Sequence, residues 1–241
     1  MILVNGDSIE YMKSLADCSV DLIATDPPYR VTAHGSHGTA GGMFTTDLTK
    51  KGKIFEHNDV KISDYAPEFY RVLKSGTHCY VMTNNYNLIE MLNTFLSVGF
   101  LFVRSLIWDK QNKIMGAFYM SQFEYILMFR KGEGRPINNP GTSDIMSIAN
   151  KKSKGADGAN LHDTEKPVDL MKVLIENSSN EDDVVLDPFM GIGSTGVAAV
   201  QLNRQFIGCE IDKKYYDIAE QRIKEAKNGV QLQALDFGGL F

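Results

Sequence analysis

Short apolar runs alternate with amphipathic stretches along most of the chain. Apolar runs bounded by turn residues predict strands, and stretches with apolar residues three or four positions apart predict helices. The predicted strands are Ile2–Asn5, Val20–Thr25, Thr77–Thr83, Leu101–Trp108, Phe123–Phe129, Val184–Asp187 and Gln205–Glu210. The predicted helices are Ser8–Leu15, Ser63–Leu73, Leu88–Ser97, Pro167–Asn177, Ser194–Leu202 and Lys213–Lys227.

The order of these elements predicts one α/β domain over residues 1–241. Strands that alternate with helices are typical of a mostly parallel sheet. No helix is predicted between the strands near 101–108 and 123–129, so these two are expected to form an antiparallel pair late in the sheet.

Two long segments, residues 30–62 and 131–161, lack hydrophobic periodicity and are rich in glycine and polar residues. Connections of this length are uncommon in compact domains and are often functional. Each contains a short run of lysines, KKGK at 50–53 and KKSK at 151–154. Such a run is usually a solvated surface, but two runs beside one cleft would favour a nucleic-acid partner.

Composition limits the class of protein. The 241 residues are 43% hydrophobic and 23% charged, which suits a single domain with a sizeable core. No apolar segment approaches the roughly 20 residues that span a bilayer, and no signal peptide is apparent, so a cytoplasmic protein is expected. The net charge of −5 gives no global attraction to nucleic acid. Cys18, Cys79 and Cys209 are expected to be buried, reduced thiols rather than a disulfide set or a metal site.

The stretch ATDPPYR, residues 24–30, follows the second predicted strand. Two consecutive prolines fix φ twice and remove two backbone donors, so neither a helix nor a central strand continues through Pro27 and Pro28. The carboxylate of Asp26 and the ring of Tyr29 are therefore expected at the end of that strand. Because a long segment follows directly, this turn is expected to belong to a functional site.

Residues 184–212 have the order strand, glycine-rich turn, helix, strand and acid. The first strand ends at Asp187, the turn contains Gly191, Gly193 and Gly196, and the second strand ends at Glu210. Glycines allow a ligand to approach the backbone, and an acid at the next strand end can accept from ribose hydroxyls. The segment therefore predicts a site for a nucleoside-containing cofactor.

Two cofactors compete for this segment. Taken literally, GxGxxG followed by an acid also fits a dinucleotide, and the chain would then be an NAD-dependent oxidoreductase. Asp187 argues against a pyrophosphate and suits a cationic group, such as the ammonium of a methionyl moiety. The pattern also comes late, which leaves little chain for the substrate domain of a usual hydride-transfer enzyme.

The full set of motifs resembles the permuted, β-group AdoMet-dependent DNA amino-methyltransferases, and most of all the phage-type DNA N6-adenine methyltransferases. The resemblance rests on Asn5-Gly6-Asp7, on DPPY at 26–29, and on IWDK…FEYILMFRKG at 107–132. It continues through HDTEKP at 162–167, LDPFMGIGSTG at 186–196 and IDKKYYDIAEQRI at 211–223. It implies a Rossmann-like methyltransferase fold, with a mostly parallel seven-stranded sheet that has one antiparallel strand and helices on both faces.

The resemblance also implies roles for individual residues. The catalytic set would be Asp26, Pro27, Pro28 and Tyr29. Asp26 and the carbonyl of Pro27 would accept the two hydrogens of an exocyclic amino group, and Tyr29 would stack on the base. The residues expected to bind S-adenosyl-L-methionine (AdoMet) are Asp7, Thr164, Lys166, Pro167, Asp187, Pro188, Phe189, Gly191, Gly193, Glu210 and Asp212. No metal is implied.

The implied partner is DNA, whose target base must leave the duplex before it can react. The residues expected to contact DNA are Lys50, Lys51, Lys53, Arg130, Lys131, Arg135, Lys151, Lys152 and Lys154. The two long segments, 30–62 and 131–161, would carry sequence recognition. The second is short for the family, which leaves a homodimer open, and a companion restriction endonuclease is also open. No membrane partner is implied.

Several alternatives remain at this point. An aspartate at the start of DPPY favours adenine N6, whereas a serine there would favour cytosine N4; the same fold could also act on RNA. A catalytically silent DNA-binding protein is a further class, although the presence of Asp26, Tyr29 and Asp187 argues against it.

Overall fold

The computed structural model describes residues 1–28, 60–114, 119–155, 158–162 and 164–237. In chain order its elements are β1 (Ile2–Asn5), α1 (Ser8–Ser14), β2 (Val20–Thr25), α2 (Ile62–Val72), β3 (Leu73–Thr83), α3 (Leu88–Ser97), β4 (Leu101–Ile114), β5 (Ser121–Arg130), β6 (Ile145–Ser147), α4 (Val168–Ser178), β7 (Val184–Asp187), α5 (Ser194–Gln201), β8 (Gln205–Glu210) and α6 (Lys213–Phe237). The predicted element types and most of their boundaries are confirmed.

The strands form one sheet in the order β1-β8-β7-β2-β3-β5-β4-β6. Strand β5 is antiparallel to both of its neighbours, β3 and β4, and every other pair is parallel. The mostly parallel sheet, its single antiparallel strand and the antiparallel pair are thus confirmed. The predicted number of seven strands is wrong for the described residues, because β6 adds a short eighth strand beside β4.

Strand β6 lies in the 131–161 segment, for which no structure was predicted. Its three residues pair with Ile107–Asp109, and the main chain nearby is anchored where Trp108 Nε1 donates to the Ile148 carbonyl at 2.8 Å. Three residues are too few to show a period, so only the tertiary pairing defines this strand.

Helices cover both faces of the sheet, as expected. Helices α1, α2 and α3 pack over one face, with Phe69 and Phe95 in the core. Helices α4, α5 and α6 pack over the other, with Leu174 and Ile223. Both faces of the central strands are therefore buried, which explains why β2 is a continuous run of buried residues rather than an alternating one.

The strand order reverses beside β2 and β7. After β2 the chain moves outward through β3, and after β7 it moves the other way, through β8. The carboxyl ends of the two strands at such a reversal open a crevice between their following loops. Cys79 and Cys209 are buried as expected, but Cys18 is exposed in the turn before β2. No helix among the described residues is long and apolar enough to cross a membrane.

Candidate active site

The two motifs singled out in the sequence meet at the reversal point. Ile23 of β2 pairs with Leu186 of β7, so the residues after both strands emerge side by side. Thr25 Oγ1 donates to Asp187 Oδ1 at 2.6 Å, which ties the end of β2 to the end of β7. Asp26, directly after Thr25, therefore lies beside the glycine-rich loop.

A cavity of about 410 Å³ opens at this edge, within the usual size range of small-molecule sites. Its wall includes Asp26, Pro27 and Pro28 from the first motif and residues 187–192 from the second. Nine of the eleven residues expected to bind the cofactor line it: Asp7, Thr164, Lys166, Asp187, Pro188, Phe189, Gly191, Glu210 and Asp212. The proline turn and the glycine loop thus share one cavity.

Asp187 places a buried carboxylate in this wall; its residue is 3% exposed. Thr195 Oγ1 donates to its Oδ2 at 2.5 Å, and Thr25 and the Phe189 amide donate to its Oδ1. Burial raises the pKa of Asp187 to about 6, although these hydrogen bonds oppose the rise. The hydrogen bonds fix the carboxylate in one orientation at the start of the glycine-rich loop.

The two predicted glycines have different reasons for being glycine. Gly191 has a φ of +52°, and a side chain there would approach only the ring of His162, so its outer side is open to the cavity. Gly193 has a φ of +80°, and a Cβ would lie 3.0 Å from Ala219 Cβ and 3.0 Å from Ile223 Cδ1. Gly193 therefore allows α5 to pack on α6, and it is not among the residues that line the cavity.

Pro167 is likewise absent from the wall. It is the residue before α4, and its carbonyl accepts from the amides of Leu170 and Met171 in the first turn of that helix. Its position follows from helix initiation; the direct cofactor contacts of Pro167 and Gly193 stay predictions.

Three further carboxylates line the cavity and are held by backbone amides. Glu210 accepts from the Gly191 amide at 3.0 Å and from the Asp212 amide at 2.8 Å, so it links β8 to the glycine loop. Asp7 and Asp212 cap the first turns of α1 and α6. Burial raises the pKa of Glu210, and the two amide hydrogen bonds oppose it.

The structure adds residues that motif matching did not assign. His162 and Tyr215 line the cavity, and their rings pack edge to face with centroids 4.4 Å apart. Ser194 and Thr195 also line it, and Ser194 Oγ is buried without a hydrogen-bond partner among the described residues. All four lie inside the motifs quoted from the sequence, so the motifs marked the segments but not these side chains.

This arrangement fits a nucleoside cofactor that carries a cationic amino-acid group. A buried carboxylate, Asp187, offers a counter-charge for an ammonium, and the Ser194 hydroxyl is positioned as a further polar contact. Glu210 retains acceptor capacity for hydroxyl donors. In the part of the chain that the structure describes, no group of three His, Cys, Asp or Glu side chains is placed as metal ligands would be.

Lys166 differs from its predicted role. Its side chain lines the cavity, but the ammonium donates to Asp26 Oδ2 and to the Thr164 carbonyl, and it lies 3.6 Å from Glu124 Oε2. Burial raises the pKa of Asp26, and the charge of Lys166 opposes that rise. The lysine therefore contacts the aspartate of the first motif, and its contact with the cofactor stays a prediction.

Three residues that are predicted to contact DNA lie away from the cavity edge. Arg130 is the last residue of β5, and Lys131 and Arg135 follow it. Because β5 is antiparallel, this end lies at the amino edge of the parallel strands. Lys131 Nζ donates to the carbonyls of Tyr70 at 2.6 Å and Leu73 at 2.8 Å, so it holds the α2–β3 junction. These three residues do not reach the cavity edge.

The lysines of the second run, at 151–154, lie in two different environments. Lys151 and Lys154 are exposed, and Lys154 Nζ donates to Asn160 Oδ1 at 2.7 Å. Lys152 points inward and donates to the Glu165 carbonyl at 3.0 Å. Burial and the nearby charge of Lys166 lower the pKa of Lys152 to about 8. Tyr29, Lys50, Lys51, Lys53 and most of segment 30–62 lie outside the described residues.

Comparison with solved structures identifies the class of fold. The structure superimposes on PvuII DNA methyltransferase (cytosine-N4-specific) with a TM-score of 0.71, at 18% identity, over 95% of this chain and 91% of that one. It superimposes on M1.HpyAVI, solved as a complex with SAM, with a TM-score of 0.68, at 23% identity, over 92% of this chain and 98% of that one. The protein thus has the Rossmann-like fold of the AdoMet-dependent methyltransferases.

Sequence comparison gives the family. The DNA methylase model N6_N4_Mtase matches residues 20–221. The Type II methyltransferase M.HinfI of Haemophilus influenzae is 30% identical over 97% of this chain and 72% of its own length. M2.DpnII of Streptococcus pneumoniae is 29% identical over 95% of this chain and 91% of its own length. The chain therefore belongs to the N6/N4 DNA amino-methyltransferases, and the oxidoreductase hypothesis is wrong.

Proposed function

We propose that this protein transfers the methyl group of AdoMet to the N6 amino group of an adenine in DNA. The observation that carries the proposal is the shared cavity, in which the turn with Asp26, Pro27 and Pro28 faces the glycine-rich loop. The DNA substrate accords with the family. The choice of adenine rests on the aspartate that begins the DPPY motif.

When bound, AdoMet supplies an electrophilic methyl group on a sulfonium. Asp187 would hold its ammonium, Glu210 its ribose hydroxyls, and the wall of His162 and Tyr215 its remaining apolar surface. The relatives solved with SAM support this assignment by their common fold. Each of these side chains already lines the cavity, so the site needs no rearrangement of the described residues.

The chain's own part in the reaction is to position the target amino group. Asp26 Oδ1 is buried and has no hydrogen-bond partner among the described residues, so it is available to accept an N–H from the base. The stiff Pro27-Pro28 turn holds a second acceptor, the Pro27 carbonyl. Two acceptors favour a pyramidal nitrogen whose lone pair faces the methyl donor.

The methyl group passes directly from sulfur to nitrogen, and no covalent intermediate with the enzyme is needed. The nitrogen–carbon bond forms as the carbon–sulfur bond breaks, and the proton displaced from the nitrogen passes to Asp26. Orientation of two reactants in one cavity is the main catalytic contribution. The base must first leave the duplex, at a cost of a few kcal/mol, which contacts in the cavity offset. Stacking by Tyr29 remains a prediction.

Cytosine N4 is the second candidate, since PvuII DNA methyltransferase (cytosine-N4-specific) shares the fold. Both bases present an exocyclic amino group to the same two acceptors. The Type II relatives also favour a role beside a restriction endonuclease. A homodimer remains a prediction.

The deciding experiment is incubation with methyl-labelled AdoMet and unmodified DNA, followed by nucleoside mass spectrometry. Labelled N6-methyldeoxyadenosine is the expected product. Labelled N4-methyldeoxycytidine would overturn the choice of base and keep the reaction. If DNA acquires no label while AdoMet binds, the proposed activity on unmodified DNA is wrong.

A further inference from the structure

Four charged side chains of alternating sign are buried together beside the proline turn. Lys166 Nζ donates to Asp26 Oδ2 and lies 3.6 Å from Glu124 Oε2. Glu124 Oε1 in turn lies 2.6 Å from Lys110 Nζ. Lys110 is 9% exposed and Lys166 8% exposed. The order Asp26–Lys166–Glu124–Lys110 forms a chain of ion pairs, which we call the buried charge chain.

The sheet register explains why these residues meet. On β2, Leu22 and Ala24 face the α4–α6 core, and Asp26 continues that face beyond the strand. On β5 the same face carries Met128 and Ile126 and then Glu124. Because β5 runs in the opposite direction, its beginning lies at the edge where β2 ends.

Strand β4 contributes the fourth member by the same rule. Trp108 faces the α4–α6 core, pairs with Glu124 and is followed two positions later by Lys110. The side chain of Lys110 also lies over the Trp108 ring, 5.6 Å from its centroid. On three strands, therefore, an apolar face ends in a charge at one edge of the sheet.

Two oxygens of the buried charge chain have no hydrogen-bond partner among the described residues: Asp26 Oδ1 and Glu124 Oε2. Burying a carboxylate oxygen without a hydrogen-bond partner is unfavourable. A purely structural ion-pair cluster would be expected to use both oxygens of each carboxylate. The free oxygen of Asp26 lies in the cavity wall, where the amino group of a base would arrive.

Lys166 is placed to hold Asp26 in this state. Its ammonium has three donors, and it faces three acceptors: Asp26, the Thr164 carbonyl and Glu124. Movement of the Lys166 ammonium to another position would therefore lose at least one of these contacts. Burial favours a lower pKa for Lys166, but the attraction of Asp26 and Glu124 outweighs it and raises the pKa above the ordinary value.

We propose that Lys166 is a positioning residue for methyl transfer, held by Glu124 and Lys110, and that it keeps Asp26 ionised with Oδ1 directed at the target amino group. The inference rests on the proposed function. It assigns to Lys166, Glu124 and Lys110 a role in the orientation of the base acceptor, not in cofactor binding.

Other charges that face Asp26 act in both directions. Lys166 and Lys110 favour its ionised form, whereas Glu124 opposes it. The pKa values of Asp187 and of the Tyr65 hydroxyl on α2 are raised mainly by burial. The nearby charge of Asp26 raises both of them further. Lys166 is therefore the nearest of the two cations that offset the burial of this carboxylate.

The first test replaces Lys166 with methionine, which keeps an unbranched side chain, one atom shorter, and removes its charge. We expect kcat to fall about 100-fold, because misplacement of one reacting group costs about that factor. The dissociation constant for AdoMet should stay within about threefold of wild type, since the ammonium points at Asp26. Unchanged kcat in K166M would overturn the proposal.

Lys74→Met is the matched control. Lys74 Nζ pairs with Asp21 at 2.7 Å, at the other end of the strand that Asp26 follows. K74M makes the same chemical change to a lysine–aspartate pair outside the cavity wall. Its kcat should remain near that of wild type; an equal loss in both variants would mean that general destabilisation accounts for K166M.

Glu124→Gln keeps the proposal testable if K166M does not fold. Glutamine preserves the size of the side chain and removes the charge that holds Lys166, so we expect a loss in kcat of about 10-fold with AdoMet affinity unchanged. Because Glu124 acts through Lys166, E124Q should add little to K166M in a double-mutant cycle. If the losses in kcat of E124Q and K166M were fully additive, the inference that Glu124 acts through Lys166 would be overturned.

A measurement that needs no turnover separates this inference from the proposed function. Carbon-13 NMR titration of the aspartate carboxyl groups, with Asp26→Asn used for assignment, reports the protonation of Asp26 directly. Loss of the Lys166 charge should raise the pKa of Asp26, so its titration should move to higher pH in K166M and stay in place in K74M. An unmoved titration overturns the inference. If the titration of Asp26 moves in K166M but the wild-type protein does not methylate DNA, only the proposed function is overturned.

Discussion

The two ends of strand β2 carry the same chemical pair in two different states. Near the beginning of the strand, Asp21 accepts from Lys74 through Oδ1 at 2.7 Å and from the Val184 amide through Oδ2 at 3.0 Å. Directly after the last residue of the strand, Asp26 accepts from Lys166 through Oδ2, and its Oδ1 has no hydrogen-bond partner among the described residues. The first aspartate is satisfied by the fold, whereas the second has capacity left for a substrate.

The comparison shows how a structural ion pair differs from a functional one. Pairing with lysine does not separate them, and neither does burial, since both aspartates are largely buried. What separates them is the free acceptor and its position in a cavity wall. A buried carboxylate with an unused oxygen is costly to keep, so the most economical explanation is a ligand that uses it.

Replacement of each aspartate by asparagine should give the largest contrast. Asp26→Asn should lower kcat about 1000-fold, because it removes the charged acceptor that aligns the amino group. Asp21→Asn should leave kcat near wild type and lower the free energy of unfolding by about 1 kcal/mol, through its weakened hydrogen bonds. Steady-state kinetics and thermal unfolding of both variants measure the two effects. Comparable losses of kcat in the two variants would remove the distinction.

Asp187 provides the next test, because its carboxylate is buried in the same cavity and accepts three hydrogen bonds, from Thr25, Thr195 and the Phe189 amide, which leaves acceptor capacity for an ammonium. Asp187→Asn should weaken AdoMet binding about 100-fold, since a charge-assisted contact to an ammonium contributes about 1.5–3 kcal/mol. Calorimetric titration with AdoMet measures the change, and Asp26→Asn serves as the control with near-normal affinity. If D187N binds AdoMet normally, the ammonium lies elsewhere in the cavity.

The pH dependence of AdoMet binding follows from the same residue. Burial raises the pKa of Asp187 to about 6 in the unliganded protein. The carboxylate is ionised above that value and attracts the ammonium, so affinity should be highest near pH 7 and fall about tenfold per unit below pH 6. The fall should be absent in D187N. A pH-independent affinity in the wild type would contradict the assigned partner.

The smallest expected effect concerns DNA and contrasts the two edges of the sheet. Lys151 and Lys154 are exposed on the segment that leads to the cavity, so K151A/K154A should lower the salt slope of DNA binding by about 2. Arg130→Ala and Arg135→Ala alter the opposite edge and should leave the slope unchanged. Fluorescence anisotropy over a salt series measures it. A reversed outcome would move the DNA surface to the amino edge.

Local patterns in the sequence determined much of this protein. Hydrophobic periodicity predicted every described helix and all strands but β6, because each depends on the burial of a face that the chain itself encodes; the start of β3 and the ends of β4 and α6 differ by four to ten residues. The proline pair fixed the turn at Asp26, and the glycine-rich turn fixed the segment around Asp187. The structure then shows that both lie at one edge, beyond the ends of two neighbouring parallel strands.

The tertiary structure decided what depends on the direction of one strand. Because β5 is antiparallel, Glu124 at its beginning reaches the cavity edge, and Arg130 at its end is carried to the far edge. Glu124 is absent from the site residues predicted from the sequence, and the predicted DNA contact of Arg130 did not anticipate its position at the far edge. The partner of Lys166 was likewise beyond the sequence, since 140 positions separate it from Asp26. The pattern of apolar and polar residues determines which face of the sheet a side chain occupies. Only the pairing of the strands determines which residues lie beside it.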